Sequence, residues 1–476
     1  MTIYEELANS IEERIRKGLI LAGQKLPSVR ELSLKEEVSA SSVVEAYELL
    51  RSRGLIESRN RSGFYVSFIQ TARLEIPKKN ASFIPATNNI NPDELIKALR
   101  LATYNPKIFP FGAASPLPDF FPNKAMNRTI HKVLSEEPGL ISEYRFPPGS
   151  PELRDQIVSR YRKFGVKVPV ESVVTTSGAI EGIGLALKVL TRPGDVVGIE
   201  SPCYFGIIQL VRSLGLKILE IPIGADVGLT PSTVRGAIIK SAGKLKAIVT
   251  VSNFSNPLGS LVPDSAKEEI VSIASKENIV IIEDDIYGDL YFEGRRPKPY
   301  IAFDKSDSVI MCGSFAKTIS PALRVGYVFS KKYSSEIAFQ KSASTSAVSA
   351  LGEDTLALFL SSDTYEKHLR LLRTSYKTLV AQYSTAILTS FPSGTKISQP
   401  QGGFVLWVQL PNGIDSRDVQ RTALQRSISV APGTIFSASD KDYVNFMRMN
   451  CAIPWSGQSQ KAINTLSLIV SSYLNK

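Results

Sequence analysis

Hydrophobic residues near the start of the chain recur at the spacing of an amphipathic helix. Thr2 precedes the first of them as a candidate N-cap, and Gly18 follows the last of them as a helix stop. The apolar side of this predicted helix is formed by Ile3, Leu7, Ile11 and Ile15.

Capping residues predict two more helices. Ser28 and Glu31 form a capping box, so a second helix should start at Ser28. Val38 and Ser39 close that helix and cap a third one, which ends at Gly54. The apolar face of the third helix consists of Val43, Ala46, Tyr47 and Leu50.

Two β-like runs follow the third helix, at residues 55–58 and 63–67. Two helices, a short turn, a third helix and a hairpin make up a winged helix-turn-helix. The pattern therefore predicts a DNA-binding head at residues 1–68. Residues 69–99 are rich in turn-forming residues and predict a linker, with a new helix starting near Asp93.

Strand-like and helical runs alternate over residues 100–476, which we call the body. Such alternation predicts an α/β domain with a largely parallel sheet that is buried on both faces. Ligands gather at the carboxyl ends of the strands in sheets of this kind. The predicted strands are residues 172–176, 195–200, 247–251 and 279–283.

Composition limits the class of protein. The chain of 476 residues is long enough for two or three domains, and it contains no run of 18 apolar residues that would span a membrane. Its start has no pattern of a secretory signal, and its three scattered cysteines are typical of reduced thiols in a cytoplasm. Two histidines, His131 and His368, are too far apart in sequence to predict a histidine-based metal site or triad.

The net charge of +11 does not by itself indicate nucleic-acid binding. The first 70 residues hold ten Lys or Arg and ten Asp or Glu, so their charges cancel. The candidate contacts are local, because hydroxyl residues at a helix N-terminus suit phosphates and base edges. Arginines near the wing, set against Glu57, give an expected local excess of three positive charges. These candidates are Ser39, Ser41, Ser42, Arg51, Arg53, Arg59 and Arg61.

The head resembles the GntR family of bacterial regulators. The matching motifs are residues 26–32, 38–47, 54–56 and 62–66. The resemblance implies that Ser28, Arg30 and the start of the third helix face DNA, with Arg30 in the major groove. Ala40 stands where the family usually has arginine, so one charged contact is lost. The alternative interpretation is a small helical domain that makes dimer contacts and keeps its arginines solvated.

The clearest chemical signal in the body is the segment at residues 313–327. Lys317 offers an amine that can form a Schiff base with a cofactor. Ser314 and Arg324 are the residue types that would hold a phosphate beside it.

Weaker candidates follow other strands. Residues 176–181 are typical either of a helix N-terminus that binds phosphate or of a plain strand-to-helix turn. Tyr204 suits ring stacking or core packing, and residues 253–259 suit a ligand loop or an ordinary Asn-Pro turn. The acids at residues 283–285 need a partner, either a protonated pyridine nitrogen or a metal ion. Arg448 in an apolar run is expected to face an anionic ligand or a structural carboxylate.

Together and in this order, these motifs resemble the class I/II aminotransferases of fold type I, which bind pyridoxal 5′-phosphate. The implied fold has a large domain with a mostly parallel sheet and a smaller C-terminal α+β subdomain. The resemblance implies that Lys317 carries the internal aldimine and that Asp284 keeps the pyridine nitrogen protonated. It also implies that Tyr204 stacks on the ring, while Tyr287 and Asn256 bond to its phenolic oxygen.

The same resemblance assigns the phosphate and the substrate. Arg448 would bind the α-carboxylate of the substrate, and Asn256 would also contact the substrate. Tyr144 would reach the phosphate of the partner subunit, which implies a homodimer. The remaining phosphate ligands would be Ser177, Gly178, Ala179, Ser314 and Arg324.

A GntR-type head fused to such a body resembles the MocR subfamily of transcriptional regulators. The resemblance implies a protein that binds double-stranded operator DNA and senses an amino acid or amine as an external aldimine. One alternative is a working aminotransferase that carries a DNA-binding module and uses Lys317 as its base. Another is a deaminating or lyase activity on the same fold. Neither the effector nor the operator can be read from these residues.

Overall fold

The computed structural model describes residues 2–16, 20, 24–53, 55–59, 63–66, 77, 92–439 and 441–474. Three residues with predicted roles, Gly18, Gly54 and Arg61, and most of the predicted linker lie outside the described residues.

The described part of the head contains three helices and an antiparallel hairpin. They are α1 (Ile3–Arg16), α2 (Val29–Lys35), α3 (Ala40–Ser52), β1 (Ile56–Arg59) and β2 (Gly63–Val66). The predicted capping box is confirmed, because the Glu31 N–H donates to Ser28 Oγ at 3.2 Å and the Ser28 N–H donates to Glu31 Oε2 at 2.7 Å. All four residues predicted for the inner face of α3 are buried.

Helices and strands alternate through the rest of the described chain. The helices are α4 (Pro92–Thr103), α5 (Asn123–Glu136), α6 (Pro151–Arg162), α7 (Ala179–Leu190), α8 (Phe205–Ser213), α9 (Pro231–Ser241), α10 (Asp264–Lys276), α11 (Ser334–Ser344), α12 (Ala350–Leu360), α13 (Thr364–Ser390), α14 (Ser416–Gln425) and α15 (Gly457–Leu474). Among these helices, none is long and apolar enough to cross a membrane.

The strands of this part are mostly short. They are β3 (Phe109–Pro110), β4 (Tyr144–Arg145), β5 (Val173–Thr176), β6 (Val196–Ser201), β7 (Lys217–Pro222), β8 (Leu245–Thr250), β9 (Val280–Asp284), β10 (Val309–Ser314), β11 (Gly326–Phe329), β12 (Val348–Ser349), β13 (Lys396–Ile397), β14 (Val405–Gln409), β15 (Ile428–Ser429), β16 (Ala431–Pro432) and β17 (Phe446–Asn450).

Seven of the described strands form one sheet in the order β5-β11-β10-β9-β8-β6-β7. β11 is antiparallel to both of its neighbours, and the other adjacent pairs are parallel. Every residue of β9 and β10 is buried, as expected for strands covered on both faces. The predicted, largely parallel sheet is therefore confirmed, and the carboxyl ends of β5, β6, β8, β9 and β10 meet at one edge.

A smaller antiparallel sheet, with the order β13-β14-β17-β16 in the described residues, follows the long helix α13. The helices α14 and α15 pack together beside it. This unit corresponds to the expected C-terminal α+β subdomain.

The helix predicted near the end of the linker is α4, and it packs on the body. Three of its side chains, Leu95, Ile96 and Leu99, are buried in one cluster with Trp407 and Phe436. Removal of this apolar surface from water holds the helix in place. The last part of the predicted linker is therefore packed structure, because the apolar stripe of α4 begins before residue 100.

Candidate functional site

A cavity of about 440 Å³ lies at the carboxyl edge of the main sheet. Its volume is that of a small-molecule site. Strands of the main sheet and β17 of the small sheet both supply side chains to it. The predicted site residues that line it are Gly178, Ala179, Tyr204, Asn256, Asp284, Tyr287, Ser314, Lys317, Arg324 and Arg448.

The three acids at the end of β9 enter different environments. Glu283 accepts the Tyr300 N–H at 2.8 Å, and Asp285 is paired with Arg296 in the interior. Asp284 faces the cavity and forms no ion pair with a described side chain. Burial raises the pKa of Asp284 to about 7, and the charge of Asp285 adds to this rise. A buried carboxylate of this kind suits a protonated ring nitrogen, which would stabilise its ionised form.

Lys317 follows β10 and points its amine into the same cavity. Its Nζ donates to the carbonyl oxygen of Ala114 at 2.6 Å. Burial lowers the pKa of Lys317 to about 8, with Arg448 lowering it further and Asp284 opposing the shift. About a tenth of this amine is therefore unprotonated at pH 7, far more than for an ordinary lysine, and the neutral form is the one that attacks a carbonyl.

The start of α7 and Arg324 form one end of the cavity. Gly178 has a positive φ of 99° just before the helix, and a Cβ at this position would lie 2.9 Å from Arg324 Nη2. Arg324 itself has a φ of 54°, a conformation that costs energy for a bulky residue and often marks a functional position. A helix N-terminus beside a guanidinium suits a phosphate.

Two of the predicted phosphate ligands, Ser314 and Ser177, have different surroundings. Ser314 lines the cavity, and its Oγ donates to the carbonyl of Val325 at 3.1 Å. Ser177 is not among the lining residues, and its N–H donates to the carboxylate of Glu181 at 2.5 Å. The backbone N–H of Ser177 is thus engaged away from the predicted phosphate, which the spacing of the motif could not show.

Arg448 is fully buried and lines the same cavity. Its guanidinium donates to Asn256 Oδ1 at 3.3 Å and to the carbonyl of Gly112. Its Nε is buried without a hydrogen-bond partner among the described residues. Burial lowers the pKa of Arg448 to about 10, so the group still carries its charge. An orphaned donor on a buried cation suits the carboxylate of a ligand.

Two tyrosines line the cavity and a third does not. Tyr287 is buried and hydrogen-bonded to Asn256, and burial raises its pKa well above the usual value. Tyr204 is half-buried, with its ring centroid 4.7 Å from that of Phe205. Tyr144 is 76% exposed on β4 and is not among the lining residues. Its predicted role toward a partner subunit stays a prediction.

Backbone carbonyls at residues 112–115 are contacts that sequence reasoning missed. The carbonyls of Gly112 and Ala114 accept hydrogen bonds from Arg448 and Lys317. That of Ser115 accepts from Asn450 at 2.9 Å. Every residue type has a carbonyl, so no residue pattern announces this role. The segment lies directly against Arg448 and Lys317, two of the cationic groups that line the cavity.

A metal ion was the alternative partner for the acids at residues 283–285. No group of three or more His, Cys, Asp or Glu side chains in the described chain could hold a metal ion. The acids that prompted this alternative are instead bonded to protein donors or face the cavity singly.

The head presents several of the predicted DNA contacts at its surface. Arg30, Ser39 and Ser41 are exposed, and Ser42 is half-buried. Ser39 Oγ accepts the Ser42 N–H at 3.1 Å, so Ser39 is the N-cap of α3. Ser28 is exposed and caps α2.

Two arginines near the wing are paired within the head. Arg53 contacts Glu12 of α1 at 2.7 Å, and Arg51 contacts Glu48 at 2.7 Å. The expected local excess of three positive charges is therefore wrong, because it left out acids from other turns and helices. Arg61 and the side chain of Arg59 lie outside the described residues.

Known proteins resemble the two parts of the chain separately and together. The gntR family of bacterial regulatory proteins matches residues 3–66, and the family "Aminotransferase class I and II" matches residues 115–466. The uncharacterized HTH-type transcriptional regulator YjiR of Escherichia coli is 34% identical, over 98% of both chains. The uncharacterized regulator YdcR of the same organism is 32% identical over the full length of both.

The chain belongs to the GntR-type transcriptional regulators of the MocR kind. This family joins a helix-turn-helix head to an aminotransferase-like body, as the sequence motifs predicted. The head indicates DNA binding, and the body indicates an amino-acid ligand.

Solved structures identify the fold of the body of this regulator. A kynurenine aminotransferase of Pyrococcus horikoshii, solved with PMP and substrate, superposes with a TM-score of 0.75 at 25% identity, over 81% of this chain and 96% of that one. The α-aminoadipate aminotransferase LysN of Thermus thermophilus gives a TM-score of 0.72 at 23% identity, over 80% and 95% of the two chains. The predicted aminotransferase fold of type I is thus confirmed.

The cofactor of this family is pyridoxal 5′-phosphate, and the residues of the regulator fit it. The α7 N-terminus and Arg324 suit its phosphate, and Asp284 suits its ring nitrogen. Lys317 supplies an amine for its aldehyde.

Proposed function

We propose that this MocR-type regulator binds an amino acid or amine in the cavity of its body and thereby changes how its head binds operator DNA. The observation that carries the proposal is the meeting of Lys317, Arg448 and Asp284 in one cavity of a chain that also carries a GntR-type head. A DNA-binding head is of little use to an enzyme that only turns over metabolites.

The body provides one group for each part of such a ligand. Arg448 offers a buried cation with an unpartnered Nε for the carboxylate of an amino acid. When bound, pyridoxal 5′-phosphate supplies an aldehyde carbon that can bond to the Lys317 amine or to a ligand amine, and a ring that withdraws electrons from the attached group. Lys317, with a pKa of about 8, passes readily between its neutral and protonated forms during this exchange.

Entry of a ligand is expected to affect the contacts of residues 112–115. Arg448 and Lys317 now donate to the carbonyls of Gly112 and Ala114. A carboxylate on Arg448 and an amine exchange at Lys317 both compete for these donors. We propose that this segment responds to the ligand, and any effect on DNA requires unequal ligand affinity for two states.

Operator binding is proposed to need two chains. One winged helix contacts too few base edges for a specific site, and a two-fold dimer supplies two heads for two half-sites. The exposed residues Arg30, Ser39 and Ser41 are the proposed contacts, together with Ser28, Ser42, Arg59 and Arg61. A cytoplasmic location, as for other DNA-binding regulators, is part of the same proposal.

One preparation tests the proposal against its alternative. Operator binding is measured by fluorescence anisotropy with and without a panel of amino acids and amines, and the same protein is assayed with these compounds and a keto acid. We expect one class of compound to change operator affinity by at least several-fold without steady turnover. Sustained keto-acid production with unchanged DNA affinity would support the aminotransferase instead.

A further inference from the structure

Glu181, which does not line the cavity, binds the loop before α7 at the candidate phosphate site. It lies in the first turn of α7, and its Oε2 accepts the Ser177 N–H at 2.5 Å. The carbonyl of Ser177 accepts a hydrogen bond from Arg324 Nη2 at 2.6 Å. Both backbone groups of Ser177 are therefore fixed. The Gly178 N–H shares a peptide plane with the Ser177 carbonyl, so its direction at the cavity end of α7 is fixed as well.

Two residues from the end of α11 hold Glu181 in turn. Lys341 Nζ, on a side chain that is 0% exposed, donates to Glu181 Oε2 at 2.9 Å. Thr345 Oγ1 donates to Glu181 Oε1 at 2.5 Å and accepts from Lys341 at 3.0 Å. Burial alone would raise the pKa of Glu181, but the hydrogen bonds from Thr345, Ser177 and Lys341 lower it. The carboxylate is therefore ionised.

An ionised carboxylate in this turn has an electrostatic cost for a phosphate. The end of α7 that attracts the phosphate also carries Glu181, and like charges repel more strongly beside a side chain that is only 15% exposed than they do in bulk water. Lys341 offsets that cost, because its buried ammonium makes the pair neutral. Neither residue, nor Thr345, is among the residues that line the cavity. Their effect on a cofactor must pass through Ser177 and through charge.

We propose that Glu181, Lys341 and Thr345 form a positioning cluster for the phosphate of the cofactor. Glu181 orients the backbone of Ser177, and Lys341 cancels the negative charge that Glu181 places behind the site. The inference rests on the assignment of the cofactor phosphate to the start of α7. It adds residues on α7 and α11 that neither the motifs nor the cavity lining identify.

The test compares two probes that differ only in the phosphate. Dissociation constants of pyridoxal 5′-phosphate and of pyridoxal are measured on the full-length protein by absorbance and fluorescence titration. In Lys341→Met the phosphate-bearing probe should bind at least tenfold more weakly, while pyridoxal changes less than twofold. Lys341→Arg keeps the charge and should retain most of the affinity.

The double variant separates charge from packing. In Glu181→Gln/Lys341→Met both charges are gone, so affinity for the phosphate-bearing probe should recover most of what Lys341→Met loses. Lys188→Met, at the far end of α7, removes the same charge from an exposed position and should bind as the wild type does. Equal losses for both probes, or a double variant as weak as Lys341→Met, would overturn the cluster. A wild type that prefers pyridoxal would instead refute the phosphate site itself.

Discussion

The carboxylates of Asp284 and Asp285 are neighbours in sequence but lie in separate environments. Asp285 is paired with Arg296 and accepts Asn253 Nδ2 at 2.8 Å in the interior. Asp284 lines the cavity, where it accepts the Ile286 N–H at 3.2 Å. Successive side chains of an extended segment point to opposite sides, so a single step along the chain separates a structural acid from a candidate cofactor ligand.

Exchanging each acid for its amide should distinguish these two environments. Asp284→Asn should keep the cofactor but slow loss of the Cα proton from a bound amino acid by about 100-fold or more, because an amide cannot stabilise a protonated ring nitrogen as a carboxylate does. Stopped-flow absorbance at a single turnover measures this.

Asp285→Asn is the matched control for that experiment. It removes one of the two carboxylate partners of the buried Arg296, which keeps Asp289, and should cost about 1.5–3 kcal/mol of unfolding free energy, measured in urea. If this variant were as stable as the wild type and equally slow in proton loss as Asp284→Asn, the assignment to Asp284 would be wrong.

The pH dependence of cofactor attachment should follow the pKa of Lys317. Only the neutral amine attacks the aldehyde, so the attachment rate should rise about tenfold per pH unit below pH 8 and level off above it. Asp284 raises this pKa and Arg448 lowers it. The midpoint should therefore move down in Asp284→Asn and up in Arg448→Met. Shifts in the same direction in both variants would contradict the electrostatic explanation.

Lys317 should be the residue to which the cofactor is attached. Its segment and its position in the cavity beside Ser314 and Arg324 motivate this. The wild type should absorb visible light as a lysine-bound cofactor does, and Lys317→Ala should lose that absorption. Borohydride reduction followed by peptide mapping should find the label on Lys317, and a label on another lysine would refute the assignment.

The two arginines Arg30 and Arg53 should have different effects on DNA binding. Arg30 is exposed, so Arg30→Ala should weaken specific DNA more than random DNA, by about 1–3 kcal/mol. Arg53 is bound to Glu12 and to Asn9, so Arg53→Ala should lower the stability of the head and leave the salt dependence unchanged. Anisotropy titrations at several salt concentrations measure both. Equal losses of Arg30→Ala on both DNAs would argue against base readout.

Arg61 should contribute through phosphate contact. Its predicted place at the wing tip lies outside the described residues, so the expectation rests on the motif alone. Arg61→Ala should weaken binding to all sequences alike and reduce the slope of log affinity against log salt by about one. A change in sequence preference would show that Arg61 reads bases.

The sequence predicted those helices and strands that depend on local patterns of residues. Helix caps such as Ser28 and Ser39, and apolar strands such as β9, depend on near neighbours, so their spacing is enough. The motif residues Lys317, Asp284 and Arg448 meet because parallel strands end at one edge.

Contacts between distant segments were not predictable in the same way. The pairing of Arg53 with Glu12 spans two helices, and Lys341 reaches Glu181 across 160 positions of the chain. The carbonyl of Ala114 has no residue-type signal at all. Such contacts arise from packing, and a single sequence contains no periodicity that reports them.

The body should form a homodimer that survives loss of the head, provided that α4 is kept. Tyr144 motivates the dimer: the residue is 76% exposed and its ring stacks on that of Phe146, with 5.6 Å between the ring centroids, so an aromatic surface is open for a second copy. A fragment of residues 92–476 should sediment as a dimer, bind the cofactor and not bind operator DNA. A fragment of residues 104–476 lacks the side chains of α4 that cover Trp407 and should be less stable or aggregate.

In the full-length protein, Tyr144→Phe should weaken the binding of pyridoxal 5′-phosphate but not that of pyridoxal, because the hydroxyl is expected to reach the phosphate bound by the partner subunit. A monomeric 92–476 fragment with full cofactor affinity would refute both the shared site and the dimer interface.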